Sequence, residues 1–371
     1  LTTDQVANLT TAQAASLTGD LAGVLSTAQA VAIKTAALSS LNTAAVNALT
    51  TAVVASLTTQ QISSLGTNQI AALSVDQAMK LTTDQVVALT TAQVTAVTSD
   101  QLASLTTAQV AAMETRDMAA LTTAQIGKFT ETQVSALTSA QVKAITTADV
   151  LKLSDAQLQA ISTSGVAAMT TDQLANIGSA QIGKLTVSQV AALASNQVAA
   201  ITTANMQQLG NDLVASITSA AVKGLTTDQI STLKTAQLAS MTTAQLANLS
   251  VDQFNSLTTA QFAKLTATQV AGLTTAQVKS LETADLQQLT SADQLQAITT
   301  DGIKALTVDQ MAVITTLQVS NLLDTQVSKL NVTQLQALTS DSLRALTETQ
   351  VQAITTTGIK GLALDQVANL T

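Results

Sequence analysis

The densest group of ionisable side chains lies in "METRDMAA", where Glu114, Arg116 and Asp117 fall within four residues. Neighbouring carboxylates can do general acid–base work or hold a cation when a partner tunes or shares them. Nothing joins them here. The chain has no His and no Cys, which removes the usual nucleophile–base pairs and the common transition-metal sites. The other carboxylates are spread along the chain, without an Asp-rich calcium loop, and there is no Gly-rich phosphate loop. No catalytic, cofactor-binding or metal-ligating residue is assigned, no cofactor is expected, and the chain reads as a non-enzyme. Asp117 reads as a variant of helix capping, and Arg116 as a solvated charge.

Composition narrows the partners. A formal charge of −8 with only 15 Lys and Arg argues against a grip on nucleic acid or anionic membrane. No apolar run reaches the length of about 18 residues that a spanning helix needs, so no membrane insertion is expected in this segment. The apolar fraction of 46% suits a packed protein. With three Phe and no Trp or Tyr, the core must be built from Leu, Ile, Val, Met and Ala. The absence of Cys excludes disulfides.

The elements that place these residues are set by a period of eight. From Leu1, every eighth residue is large and apolar through Leu289, one nine-residue unit (289–297, "LTSADQLQA") follows, and the frame runs on from Ile298 to Leu370. That makes 46 units, of which 32 carry Gln at position 5, while position 6 is apolar throughout. Residues 1–371 read as a single continuous array, less regular over 17–56. The chain starts without Met and stops two residues into a unit, so it reads as a window from a longer protein.

One long helix is excluded, because eight residues at about 3.6 per turn would wind the Leu stripe around every face. Alternating strands would mix Leu with Thr and Gln on one face, and turn-forming Gly, Asn and Asp are scarce. A β-solenoid with corners inside each octad is the alternative. The favoured fold is an all-α solenoid of very short helices, one per octad. With Thr2 as N-cap, Gln5 is the third helical residue and completes a capping box, while Leu1 and Val6 occupy the two positions of a hydrophobic staple. Charge supports this polarity: all 23 Asp and Glu lie at positions 2 to 5, and 12 of 15 Lys and Arg lie at position 7 or 8. Acids at helix starts and bases at helix ends suit the macrodipole. Such helices are too short to persist alone and must bury positions 1, 6 and the small position 8 against their neighbours.

Three octads replace the Gln by Gly, at Gly165, Gly302 and Gly358. Each follows a unit ending in Gln-Ala and precedes one containing Asp-Gln, as a duplicated block would. They read as a trace of copying or as a bend.

"LTTDQVVAL" resembles the opening helix of TAL-effector repeats over nine residues. The base-reading loop is missing, so the likeness implies shared helix-start grammar. The whole chain resembles the long Leu-Thr-Thr-x-Gln-Val octapeptide arrays of large secreted or surface, adhesin-like proteins of Gram-negative bacteria. That resemblance implies an extracellular or cell-surface location. For the haem-utilisation label attached to some of them, this segment offers no His, Tyr or Cys ligand.

The leading functional expectation is a structural element, a stalk, filament or surface-layer component whose partners are copies of itself. The alternatives are a binding face for a repetitive target such as a glycan or ice, built on the Thr rows, and a spacer within an adhesin.

Overall fold

Each octad folds as a single short helix: in most a side-chain cap holds the first turn, and the end is closed at once. In the computed structural model, which describes residues 1–368 and 370, the helices run from Thr3–Ala7 to Leu364–Val367 and each has four to six residues. No strand occurs among the described residues. The protein is an all-α solenoid, and the β-solenoid alternative is not what forms.

The first octad shows the device. Thr2 is extended (φ −77°, ψ 165°), its hydroxyl accepts from the Gln5 N–H, and the Gln5 side chain accepts from the Thr2 N–H. Val6 N–H then donates to the Thr2 carbonyl (3.0 Å), and Leu9 N–H closes the end on the Val6 carbonyl (3.2 Å). The bond back three residues tightens the last turn, as helix ends commonly do. The chain leaves through an extended residue at position 1, such as Met113 at φ −58° and ψ 139°. No described residue has a positive φ. The helices therefore stop without the left-handed glycine cap that longer helices favour, which is why so few glycines suffice.

Two compact units divide the array, Leu1–Leu185 and Thr186–Thr371. Within each, a helix stacks on the third helix further along, as Ser139–Ala144 does on Thr163–Ala168 and Thr275–Ser280 does on Thr300–Ala305. Positions 1, 5 and 6 face inward: in the octad 81–88, Leu81, Gln85 and Val86 are buried while Thr82, Thr83, Asp84 and Val87 are exposed. Position 6 of successive octads packs inward within each unit, and in the second the Phe254 and Phe262 rings meet edge to face at 5.2 Å.

Position 8 is half-buried rather than buried, and its smallness has a specific cause. It lies against position 3 of the octad three units earlier. Ser240 Oγ donates to the Asn211 carbonyl (2.9 Å), and a Cβ on Gly224 would lie 1.8 Å from the Ser195 carbonyl oxygen. The octad holding Gly224 is the one that closes as a 3-10 turn, Ala221–Gly224.

The nine-residue unit is absorbed locally. Ser291 caps the Gln294 N–H at 3.1 Å, restoring the helix start one residue late.

Candidate functional site

The recurring polar feature of this protein is the Gln at position 5, and it sits in the core. Gln109 is 2% exposed. Its Oε1 accepts from the Thr106 N–H (2.7 Å), completing the cap of its own helix. Its Nε2 donates to the carbonyls of Ala78 (3.0 Å), Met79 (3.3 Å) and Leu81 (2.7 Å). Those carbonyls end the helix Val75–Met79, four octads earlier. One amide thus joins the start of one helix to the end of another a coil turn away, and satisfies orphan groups of both. Gln85, Gln133, Gln269 and Gln334 repeat the arrangement. Past the extra residue the reach lengthens by one: Gln310 donates to Val278 and Leu281, 32 and 29 residues back. By Gln326 the ordinary offsets of 31 and 28 return.

Capping predicts the first of these bonds, and sequence reasoning missed the second. The available signal was chemical: a capping box needs only an acceptor, which Glu supplies, yet position 5 is Gln in 32 octads and never Glu. An amide is required because the same side chain must also donate.

Where Gln is absent, the joint is made another way or left open. Asn42, an N-cap, accepts from the Ala45 N–H through Oδ1 (2.9 Å) and donates through Nδ2 to the carbonyls of Ala15 (3.2 Å) and Leu17 (2.8 Å). It does the work of a Gln from position 2, beside Ala45 at position 5, within the less regular stretch. Ser342 Oγ reaches the Ile314 carbonyl 28 residues back (3.1 Å). At Gly165, Gly302 and Gly358 the side-chain space is filled by the branched methyl of the octad's own first residue. A Cβ there would lie 2.9 Å from Cγ2 of Ile161, Ile298 and Ile354 respectively. Ile opens nine octads, seven of them with a position-5 residue shorter than Gln. At the three glycines the Ile and the missing side chain are a packing pair.

The Glu114–Arg116–Asp117 group splits between surface and core. Arg116 is mostly exposed, as read from the sequence, and pairs with Glu114 at 2.7 Å. Asp117 departs from the capping expectation. One methylene shorter than Gln, it makes no capping box; Glu114 offers no side-chain cap either. Its side chain is 1% exposed, Oδ1 accepts from Thr91 Oγ1 (2.9 Å), and Oδ2 has no hydrogen-bond partner. Burial pushes its carboxyl above the ordinary 3.8; the Thr91 hydrogen bond and Arg116 pull it down, and Glu114 pushes it up. Asp285 occupies the same position behind another Glu, Glu282, and is raised by burial against a hydrogen bond from Thr259. At Asp149 the cap Thr146 donates its hydroxyl to Oδ2 instead (2.5 Å).

The arrangement does one kind of chemistry, the mutual satisfaction of helix ends. Among the described residues no three Asp or Glu side chains converge, and no helix is long and apolar enough to cross a membrane.

This geometry defines a tandem-repeat protein, a helical solenoid held together by buried amides. The model of the ALTTAQ repeat family matches it over residues 110–147, 142–179 and 278–316. Those stretches lie in both compact units. No curated protein matches the chain.

Proposed function

We propose that this protein is a non-enzymatic structural element of a bacterial cell surface or the extracellular space, a stalk, filament or surface-layer component that assembles with copies of itself. The observation that carries the reading is the Gln row. Thr at position 2 is spent on capping, Gln at position 5 on joining turns, and the apolar positions on the core. The match to the ALTTAQ repeat supports a repeat whose product is length and regularity. The location follows the likeness to Leu-Thr-Thr-x-Gln-Val surface arrays. Electron microscopy of purified arrays with 20, 30 and 46 octads tests the proposal. Rods or fibres whose length scales with octad number support it; compact particles of constant dimension overturn it.

A second reading has its own observation. Position-3 Thr residues such as Thr107 are exposed and take no part in capping. A binding face for a repetitive glycan or ice surface would use them. Changing position 3 from Thr to Val across several units then abolishes binding while leaving the fold unchanged.

A further inference from the structure

At position 5 of the octad 113–120 the chain places an acid where the neighbouring octads place an amide donor. Gln109 donates to Ala78 and Leu81, and Gln125 donates to Val94 and Val97. By the same register the carbonyls facing Asp117 are those of Val86 and Leu89, at the end of the helix Thr83–Val87. Carbonyl oxygens only accept, and so does an ionised carboxylate. Asp117 Oδ2 is buried without a partner, while Oδ1 is held by Thr91.

We propose that Asp117 is a proton-operated joint: as the neutral acid its Oδ2–H donates to the Leu89 carbonyl and closes the contact that Gln closes elsewhere, and as the carboxylate it leaves that contact open. Reach is not the obstacle. Ser342, whose hydroxyl stands on a shorter side chain, already donates to the carbonyl 28 residues back at 3.1 Å. The groups around the acid do not replace the proton. The helices packed against Thr115–Ala120 are Thr91–Ala96, with no ionisable residue, and Ser139–Ala144, with Lys143. Asp84 lies on Thr83–Val87. The charges that act on Asp117 are Arg116, which is committed to Glu114 at 2.7 Å and stands 3.7 Å from Oδ1, and Glu114 itself, which opposes ionisation. Asp285, behind Glu282 and bonded to Thr259, holds the same position in the second unit.

The sign follows from linkage. The folded-state pKa lies above the unfolded 3.8, so the joint's contribution is complete below 3.8 and is lost as pH rises through the folded value. Acid therefore tightens this joint, the reverse of ordinary acid denaturation. The test uses the full chain and Asp117→Asn, measuring amide hydrogen-exchange protection in Thr83–Val87 and Thr115–Ala120 between pH 7 and pH 4.5. Protection in the wild type should rise relative to the variant as pH falls, approaching tenfold for each pH unit below the folded pKa. Asp285 and the other acids cancel in the comparison. Equal profiles for the two proteins overturn the proposal. So does a carbon-13 titration of the wild-type Asp117 carboxyl giving a pKa at or below 3.8, a measurement that needs no variant to fold.

Discussion

The side-chain nitrogen of Gln109 lies 2.7 Å from the carbonyl oxygen of Leu81, 28 residues earlier. That bond reaches across one turn of the coil, and its counterparts recur along the array. Replacing Gln109 by Ala leaves the Thr106 N–H and the Ala78, Met79 and Leu81 carbonyls without this partner. The expected cost is about 2 to 3 kcal/mol, since orphaned buried polar groups carry their full desolvation penalty. Because repeat arrays open locally, the loss should appear as faster amide exchange in Val75–Met79 and Thr107–Ala112, with distant octads unchanged.

Capping and exposure separate the two threonines of one octad. Thr106 accepts from the Gln109 N–H at 3.2 Å, whereas Thr107 is exposed and caps nothing. Thr106→Ala should cost about 1 kcal/mol. Thr107→Ser should stay within about 0.5 kcal/mol, as surface changes do. Denaturant unfolding of the two variants checks the contrast, and equal costs would refute the assignment of roles.

Two glycines should respond oppositely to an added methyl. At Gly224 a Cβ would stand 1.8 Å from the Ser195 carbonyl oxygen, so Gly224→Ala should destabilise by about 2 kcal/mol or more. At Gly127 the nearest atom is 3.6 Å away and the backbone is right-handed helical (φ −65°, ψ −9°). Gly127→Ala should therefore stabilise by about 0.5 kcal/mol, through the unfolded chain. Melting temperatures of the pair decide it.

Ala78 stands at position 6 where neighbouring octads carry Ile70 and Val86, and an apolar void of about 20 Å³ adjoins it, lined also by Leu73, Leu81 and Leu89. Ala78→Val should gain about 0.5 to 1 kcal/mol by filling it. A lowered melting temperature would mean that the surrounding leucines cannot make room.

Much of the fold was legible in the residues because its rules are local. Thr2, Gln5, Leu1 and Val6 lie within six residues, and a cap, its box and the two staple positions need nothing farther away. The same holds for the acids at helix starts. The pairing of Ile161 with Gly165 is also within one octad, yet its meaning is invisible until the methyl is seen filling the vacant side-chain space.

What the sequence by itself determined is where each helix starts, where it stops, and which two apolar residues it hides, since these depend on bonds spanning three or four residues. Only the tertiary structure decided what lies opposite. Three to four octads make a turn of the coil, and that return distance brings Gln109 to Leu81, Gly224 to Ser195 and Asp117 to Thr91. The period of eight does not set it, because the angle between successive short helices comes from packing among neighbours. The burial of Gln follows from that angle: the amide is in the core because the coil returns the open end of an earlier helix to meet it.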